Sequence, residues 1–244
     1  MHGVVALMNT ASVKAVVFDL DGTLVEFNLD YRRLRSEVKT FLNNQGLPSS
    51  VFSMNDRITS IVEKAERFMA NRGKSEEEMR EIKRKIFSKV DKYEMAAART
   101  THLLPSVMPT LTLLKERQLK MGIFTVNGRK QTEYLLERFH LKKFFDATVS
   151  REDAGKVKPN PEHLEAVLEI LDSQPEETIV VGDSEADMRC ARQLGAIAVG
   201  FANERTSGNQ LISAGANYVI SSFADLLALV TNIGSYASEG FTKA

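Results

Sequence analysis

From residue 105 onward, short runs rich in valine, isoleucine and phenylalanine alternate with amphipathic stretches of helical period. Apolar runs at 121–125, 147–150, 178–181, 196–199 and 218–220 are separated by helical patterns that include 129–139, 161–171 and 185–194, and 223–230 closes the series as a helix. The run at 14–18 belongs to the same set. Strands apolar along their whole length are covered on both faces, which is the condition of a parallel sheet between helical layers. The pattern therefore predicts a doubly wound, Rossmann-like α/β domain.

The alternation is interrupted. Between 27 and 102 the chain carries long charged stretches of helical period, at 31–42, 54–69 and 75–98, and no convincing strand. Gly46, Leu47, Pro48 and Gly73 divide them, while Pro105 and Pro109 flank the return to the sheet pattern. The expected organisation is an α/β core from 1–26 and 103–244, with an all-helical domain inserted at 27–102. Residues 28–102 hold 16 lysines and arginines against 11 aspartates and glutamates, and the remainder holds 16 against 21, so the balanced total conceals a split. A basic insertion and an acidic core suit an anionic substrate. The bland alternative is a solvated helix face, as the favourable Glu81 and Lys85 pair at i, i+4 suggests.

Composition narrows the function classes. The 32 basic and 32 acidic residues give no basic excess for nucleic acid, and without tryptophan there is no obvious stacking platform for bases. Cys190 is the only cysteine, which excludes an internal disulfide and a multi-cysteine zinc site and fits a reducing compartment. No run of about 18 apolar residues exists, and the apolar stretch within residues 1–12 reads as too short for a signal peptide and lacks a basic n-region. The expectation is a soluble cytoplasmic protein with a small-molecule partner and neither nucleic acid nor membrane. Its oligomeric state is not legible, and 232–244 reads as a loosely held tail.

The first apolar run ends in Asp19 and Asp21, two carboxylates one residue apart. Such a pair raises the cost of ionising either acid unless a cation intervenes or their roles differ, so it points to a metal site or to a nucleophile beside an acid. A strand ending in a polar turn through Gly22 and Thr23 is the structural alternative. Open α/β sheets gather ligands outside the carboxyl ends of their strands, and three further clusters lie at such ends. Thr125, Asn127 and Gly128 precede a helix start, where amides favour an anion and where Asn127 alone can serve as a cap. Lys158 stands just before proline and a helix start, with Lys156 two residues earlier as a rival. Gly182, Asp183 and Asp187 follow the 178–181 run.

Together these clusters resemble the haloacid dehalogenase superfamily, whose motifs run acid-x-acid, then threonine or serine, then lysine before proline, then Gly-Asp with a later aspartate. The resemblance covers nearly the whole chain, because that family's helical cap also follows the first strand, and phosphatases like phosphoglycolate phosphatase are the most similar group. It implies that Asp19 is a nucleophile forming an aspartyl phosphate, and that Asp21 is the acid and base. Mg²⁺ is implied at Asp19, the Asp21 backbone carbonyl and Asp183, with Asp187 orienting the shell. Thr125 and Lys158 would grip the phosphoryl oxygens, with amides near Asn127 and Gly128 adding donors. Glu26 stands where many relatives have aspartate, a departure that touches only substrate choice. Arg32, Arg33, Arg35 and Arg99 are candidates to meet a substrate carboxylate.

The implied activity is Mg²⁺-dependent hydrolysis of a small phosphate monoester, whether phosphoglycolate-like, a sugar phosphate or a nucleotide. A sugar phosphomutase is the alternative, but family mutases show a histidine soon after the first motif, and none occurs between Gly3 and Thr101. A non-catalytic phospholigand-binding protein is the reading from another class, and the presence of every chemical residue weighs against it.

Overall fold

The computed structural model describes residues 13–53 and 56–238, the last seven by backbone alone. Among the described residues six strands form one sheet in the order β3-β2-β1-β4-β5-β6, with every pairing parallel. They are β1 (Ala15–Phe18), β2 (Lys120–Phe124), β3 (Ala147–Val149), β4 (Thr178–Gly182), β5 (Ile197–Phe201) and β6 (Tyr218–Ile220). All four residues of β1 are fully buried, as its central place between β2 and β4 requires. The doubly wound α/β expectation holds.

The helices of this unit are α4 (Val107–Glu116), α5 (Arg129–Arg138), α6 (Glu162–Leu171), α7 (Glu185–Leu194), α8 (Gly208–Ser213) and α9 (Phe223–Ser238), numbered after the three of the insertion described next. Leu164, Val167, Leu168 and Leu171 of α6 pack with Ala15, Val17, Phe124 and Val180 in one apolar cluster. Gly122 makes this close approach possible: a Cβ there would sit 2.6 Å from Val167 Cγ1 and 3.1 Å from Leu171 Cδ1. Strand order reverses direction between β1 and β4, so polar residues beyond the carboxyl ends of neighbouring strands fall together there.

The chain divides into two compact units, one from Met1–Phe27 with His102–Ala244 and one from Asn28–Thr101. The second contains α1 (Tyr31–Asn44), α2 (Ile58–Ala70) and α3 (Glu76–Thr100), and no strand among its described residues. Leu34, Val38 and Leu42 of α1 and Ile82, Ile86 and Val90 of α3 recur every four residues and share one core with Ile61, Val62 and Ala65 of α2. Ser75 opens α3 with a capping box: its side chain accepts from the Glu78 amide while Glu78 accepts from the Ser75 amide.

Three expectations need correction. Residues 232–238 continue α9 instead of forming a tail, and 239–244 lie outside the described residues. Pro109 does not flank the sheet domain but occupies the first turn of α4, where a missing N–H costs no helical bond. The helix expected at 54–69 starts at Ile58, and residues 54 and 55 lie outside the described set. No helix among the described residues is long and apolar enough to cross a membrane.

Candidate active site

The β1 register pairs Phe18 with Ile123 on one side and Val181 on the other, so Asp19, Thr125 and Asp183 stand just past the ends of adjacent strands. The Asp19 amide continues the ladder by donating to the Val181 carbonyl at 2.9 Å. Beyond it the chain turns sharply: the Thr23, Leu24 and Val25 amides all donate to the Leu20 carbonyl, and Gly22 adopts φ +83°. Gly22 is needed for space as well as for conformation, because a Cβ would lie 2.3 Å from Asp183 Oδ2.

Lys158 Nζ binds Asp19 Oδ1 and Asp187 Oδ1, each at 2.6 Å. All three side chains are buried, and the ammonium also lies 4.2 Å from the centre of the Phe124 ring. Asp187 Oδ2 is engaged from the other side by the Ser184 amide at 2.9 Å and the Ser184 hydroxyl at 2.6 Å, within the capping box that opens α7. Asp187 thus ties the start of a helix to the lysine. It rests directly on Gly182, where a Cβ would approach it to 2.4 Å. Lys156, the sequence rival, is exposed and pairs with Glu162 at 2.8 Å.

Asp19, Asp183 and Asp187 each offer an oxygen within 4.8 Å of the others. Three buried carboxylates facing one ammonium leave excess negative charge in a poorly solvated place. Burial, reinforced by Asp187 and Asp183, pushes the Asp19 carboxyl well above its ordinary range despite Lys158. Burial and Asp187 likewise raise Asp183. For Lys158 burial opposes the charged form, but Asp187 and Asp19 outweigh it and hold the group above the ordinary lysine value. An all-oxygen donor set with uncompensated negative charge fits a hard divalent cation such as Mg²⁺. Asp21 stands outside this carboxylate group, half-buried at the start of the Leu20–Val25 turn.

The Thr125 segment supplies donors. Thr125 is buried and its Oγ1 accepts from the Asn127 amide at 3.2 Å. Asn127 Nδ2 is buried without a hydrogen-bond partner among the described residues, a costly state that an anionic acceptor would relieve. Gly128 precedes α5. The segment is pinned from β3: Arg151 donates through its amide to the Asn127 carbonyl and through Nη1 to the Val126 carbonyl, both at 3.0 Å. Arg129 is held by Glu152 and Asp153.

Sequence reasoning missed two neighbours of the site. Asn203, just past β5, donates from Nδ2 to Asp183 Oδ2 at 3.0 Å. His163 is fully buried and accepts the Lys158 amide on Nδ1 at 3.2 Å. The strand-end rule, applied to β5, singles out Asn203; nothing in the sequence marks His163.

Residues 16–201 match the model of the haloacid dehalogenase-like hydrolases. A pyrophosphatase PpaX from Bacillus mycoides is 30% identical over 229 residues, spanning 91% of this chain and 98% of its own. A second, from Bacillus cereus, is 28% identical over 228 residues with the same coverage. In fold the chain resembles a hydrolase from Pseudomonas syringae, with TM-score 0.65, 23% identity and coverage of 90% and 99% of the two chains. A HAD phosphatase from Thermococcus onnurineus aligns with TM-score 0.58 and 24% identity over 89% and 98%. The match to the family model covers most of the chain and every candidate site residue from Asp19 to Asp187, so this chain belongs to the haloacid dehalogenase-like hydrolases.

Proposed function

We propose that this protein is a Mg²⁺-dependent phosphatase acting on a small phosphorylated metabolite through a phosphoryl group carried on Asp19. The observation that carries the reading is the buried Asp19 carboxylate, held by Lys158 at 2.6 Å and clustered with Asp183 and Asp187. In this reading the Asp19 oxygen attacks phosphorus, the ester or anhydride oxygen leaves, and water then releases inorganic phosphate and restores the carboxylate. Asp19, the Asp21 carbonyl and Asp183, with Asp187 orienting them, would hold Mg²⁺, which would supply charge neutralisation for the phosphoryl oxygens when bound.

The remaining work falls to the chain's own groups. Lys158 fixes Asp19 and offsets its repulsion of an incoming phosphate. Thr125, the unpartnered Asn127 Nδ2 and amides near Gly128 receive phosphoryl oxygens. Asp21 protonates the leaving oxygen and later deprotonates the attacking water, a role suited to a carboxyl outside the clustered three. We assign the helical unit the role of a cap that selects the substrate. The names of the PpaX relatives place pyrophosphate among the substrates to test first.

Phosphate release from pyrophosphate, phosphoglycolate, sugar phosphates, nucleotides and an aryl phosphate, with Mg²⁺ and with chelator, tests this reading. Wild type is expected to release phosphate only with the metal, and Asp19→Asn to lose at least about 10³-fold. Metal-independent release, or an active Asp19→Asn variant, contradicts it.

A further inference from the structure

We propose that Arg205, stacked on Phe27 beside Asp183, recognises a second anionic group of the substrate. The site would then favour small phosphate compounds that carry a further phosphate or a carboxylate. This inference rests on the phosphatase reading above and assigns its substrate class.

The loop after β5 is built to hold Arg205 in place. The Asn203 amide donates to the Thr206 carbonyl, and Asn203 Oδ1 accepts the Arg205 amide at 2.8 Å and the Thr206 amide at 3.0 Å. The Arg205 guanidinium then lies 3.5 Å from the centre of the Phe27 ring. Its Nη1 is 3.8 Å from Asp183 Oδ2, longer than a hydrogen bond.

That carboxylate oxygen does not explain the arginine. Asn203 Nδ2 already donates to Asp183 Oδ2 at 3.0 Å, so the acceptor is served without Arg205. A loose ion pair whose cation is 50% exposed contributes about 0–1 kcal/mol, and stacking at an exposed site about 0.5–1 kcal/mol. Holding an arginine in one rotamer costs up to about 2 kcal/mol. The two contacts at most offset that cost, and neither consumes the hydrogen-bonding edge of the guanidinium, which leaves a planar fork available to a carboxylate or phosphate.

Its location suits that use. Asp183 is within 4.8 Å of Asp19, oxygen to oxygen, so Arg205 stands one carboxylate away from the nucleophile. A second negative charge on the substrate would be repelled by the three acids, and Lys158 is buried and committed to Asp19 and Asp187. Arg205, by contrast, is a half-exposed cation beside Asp183.

The test compares kcat/KM for pyrophosphate, phosphoglycolate and p-nitrophenyl phosphate in wild type, Arg205→Gln, Arg205→Lys and Phe27→Leu, with circular dichroism as the check on folding. In Arg205→Gln the preference for at least one of the two doubly anionic substrates over the aryl phosphate is expected to fall at least tenfold, through KM. Arg205→Lys should recover part of it, and Phe27→Leu should lose a smaller part. A fall confined to pyrophosphate assigns Arg205 to a phosphate, and one confined to phosphoglycolate assigns it to a carboxylate. Equal losses on all three substrates, or an unaltered ranking, overturn the inference while leaving the phosphatase reading standing. A wild type silent on all three overturns the inference, and silence across the wider panel removes that reading as well.

Discussion

At Lys158 one ammonium is shared between two buried carboxylates, and a third lies within 4.8 Å of both. Replacing it by methionine keeps the bulk and removes the charge, leaving the acids opposed only by one another. Breaking a buried charge network in this way costs on the order of 3 kcal/mol. Lys158→Met is therefore expected to lower the urea midpoint and to reduce phosphate release by at least about 10²-fold, and near-wild-type values for both would show that the lysine is dispensable.

His163 gives a pH prediction. Burial, with the nearby Lys158 charge, lowers its pKa from 6.5 to about 4. The unfolded chain binds this proton near pH 6.5 and the folded chain only near pH 4, so stability is fully present above the unfolded value and falls as pH drops through this window. The difference is worth about 3 kcal/mol. Urea melts between pH 7 and pH 4 should show a drop that His163→Leu diminishes; an equal drop in both proteins would assign it to other groups.

The nucleophile candidate and the Gly-Asp pair were legible because each follows a buried apolar run, and Lys158 because it stands just before a proline and a helix start. Asn203 also follows a strand but was passed over, since an asparagine there is an ordinary turn former and its contact with Asp183 spans 20 residues.

Among the elements, the strands were legible to within two residues because their apolar runs are bounded by polar turns. Short or interrupted helices were not. Helix α8 has six residues, too few for a period to show; it is fixed by the Ser207 and Gln210 capping box and by Leu211, which sits against Gly200. Helix α9 outran its expected end, and Thr231 in it turns its hydroxyl back to the Leu227 carbonyl at 2.7 Å.

The seat of α6 on β2 makes an element-scale prediction. Gly122→Ala would drive a methyl group into Val167 and Leu171, and overpacking of this kind costs about 1–3 kcal/mol. Denaturant melts should register the loss. An unchanged midpoint would mean that α6 shifts freely on the sheet, contrary to its apolar contacts with β1, β2 and β4.

For the molecule as a whole, sheet order turns distant sequence into one site. Residues 19, 125, 183 and 203 follow β1, β2, β4 and β5, four adjacent strands, and Lys158 joins them from the segment before α6. The alternation of strand and helix patterns made that convergence legible before any coordinates, whereas the partners of each charge required the packing itself. What the phosphatase account claims above all is a covalent phosphoryl group on Asp19. Its most direct test is to mix enzyme, Mg²⁺ and a turned-over substrate, quench in acid within milliseconds, and find the modified peptide by mass spectrometry. The account predicts a transient phosphoryl adduct on Asp19 that is absent from Asp19→Asn; full turnover with no adduct, or an adduct on another residue, would contradict it.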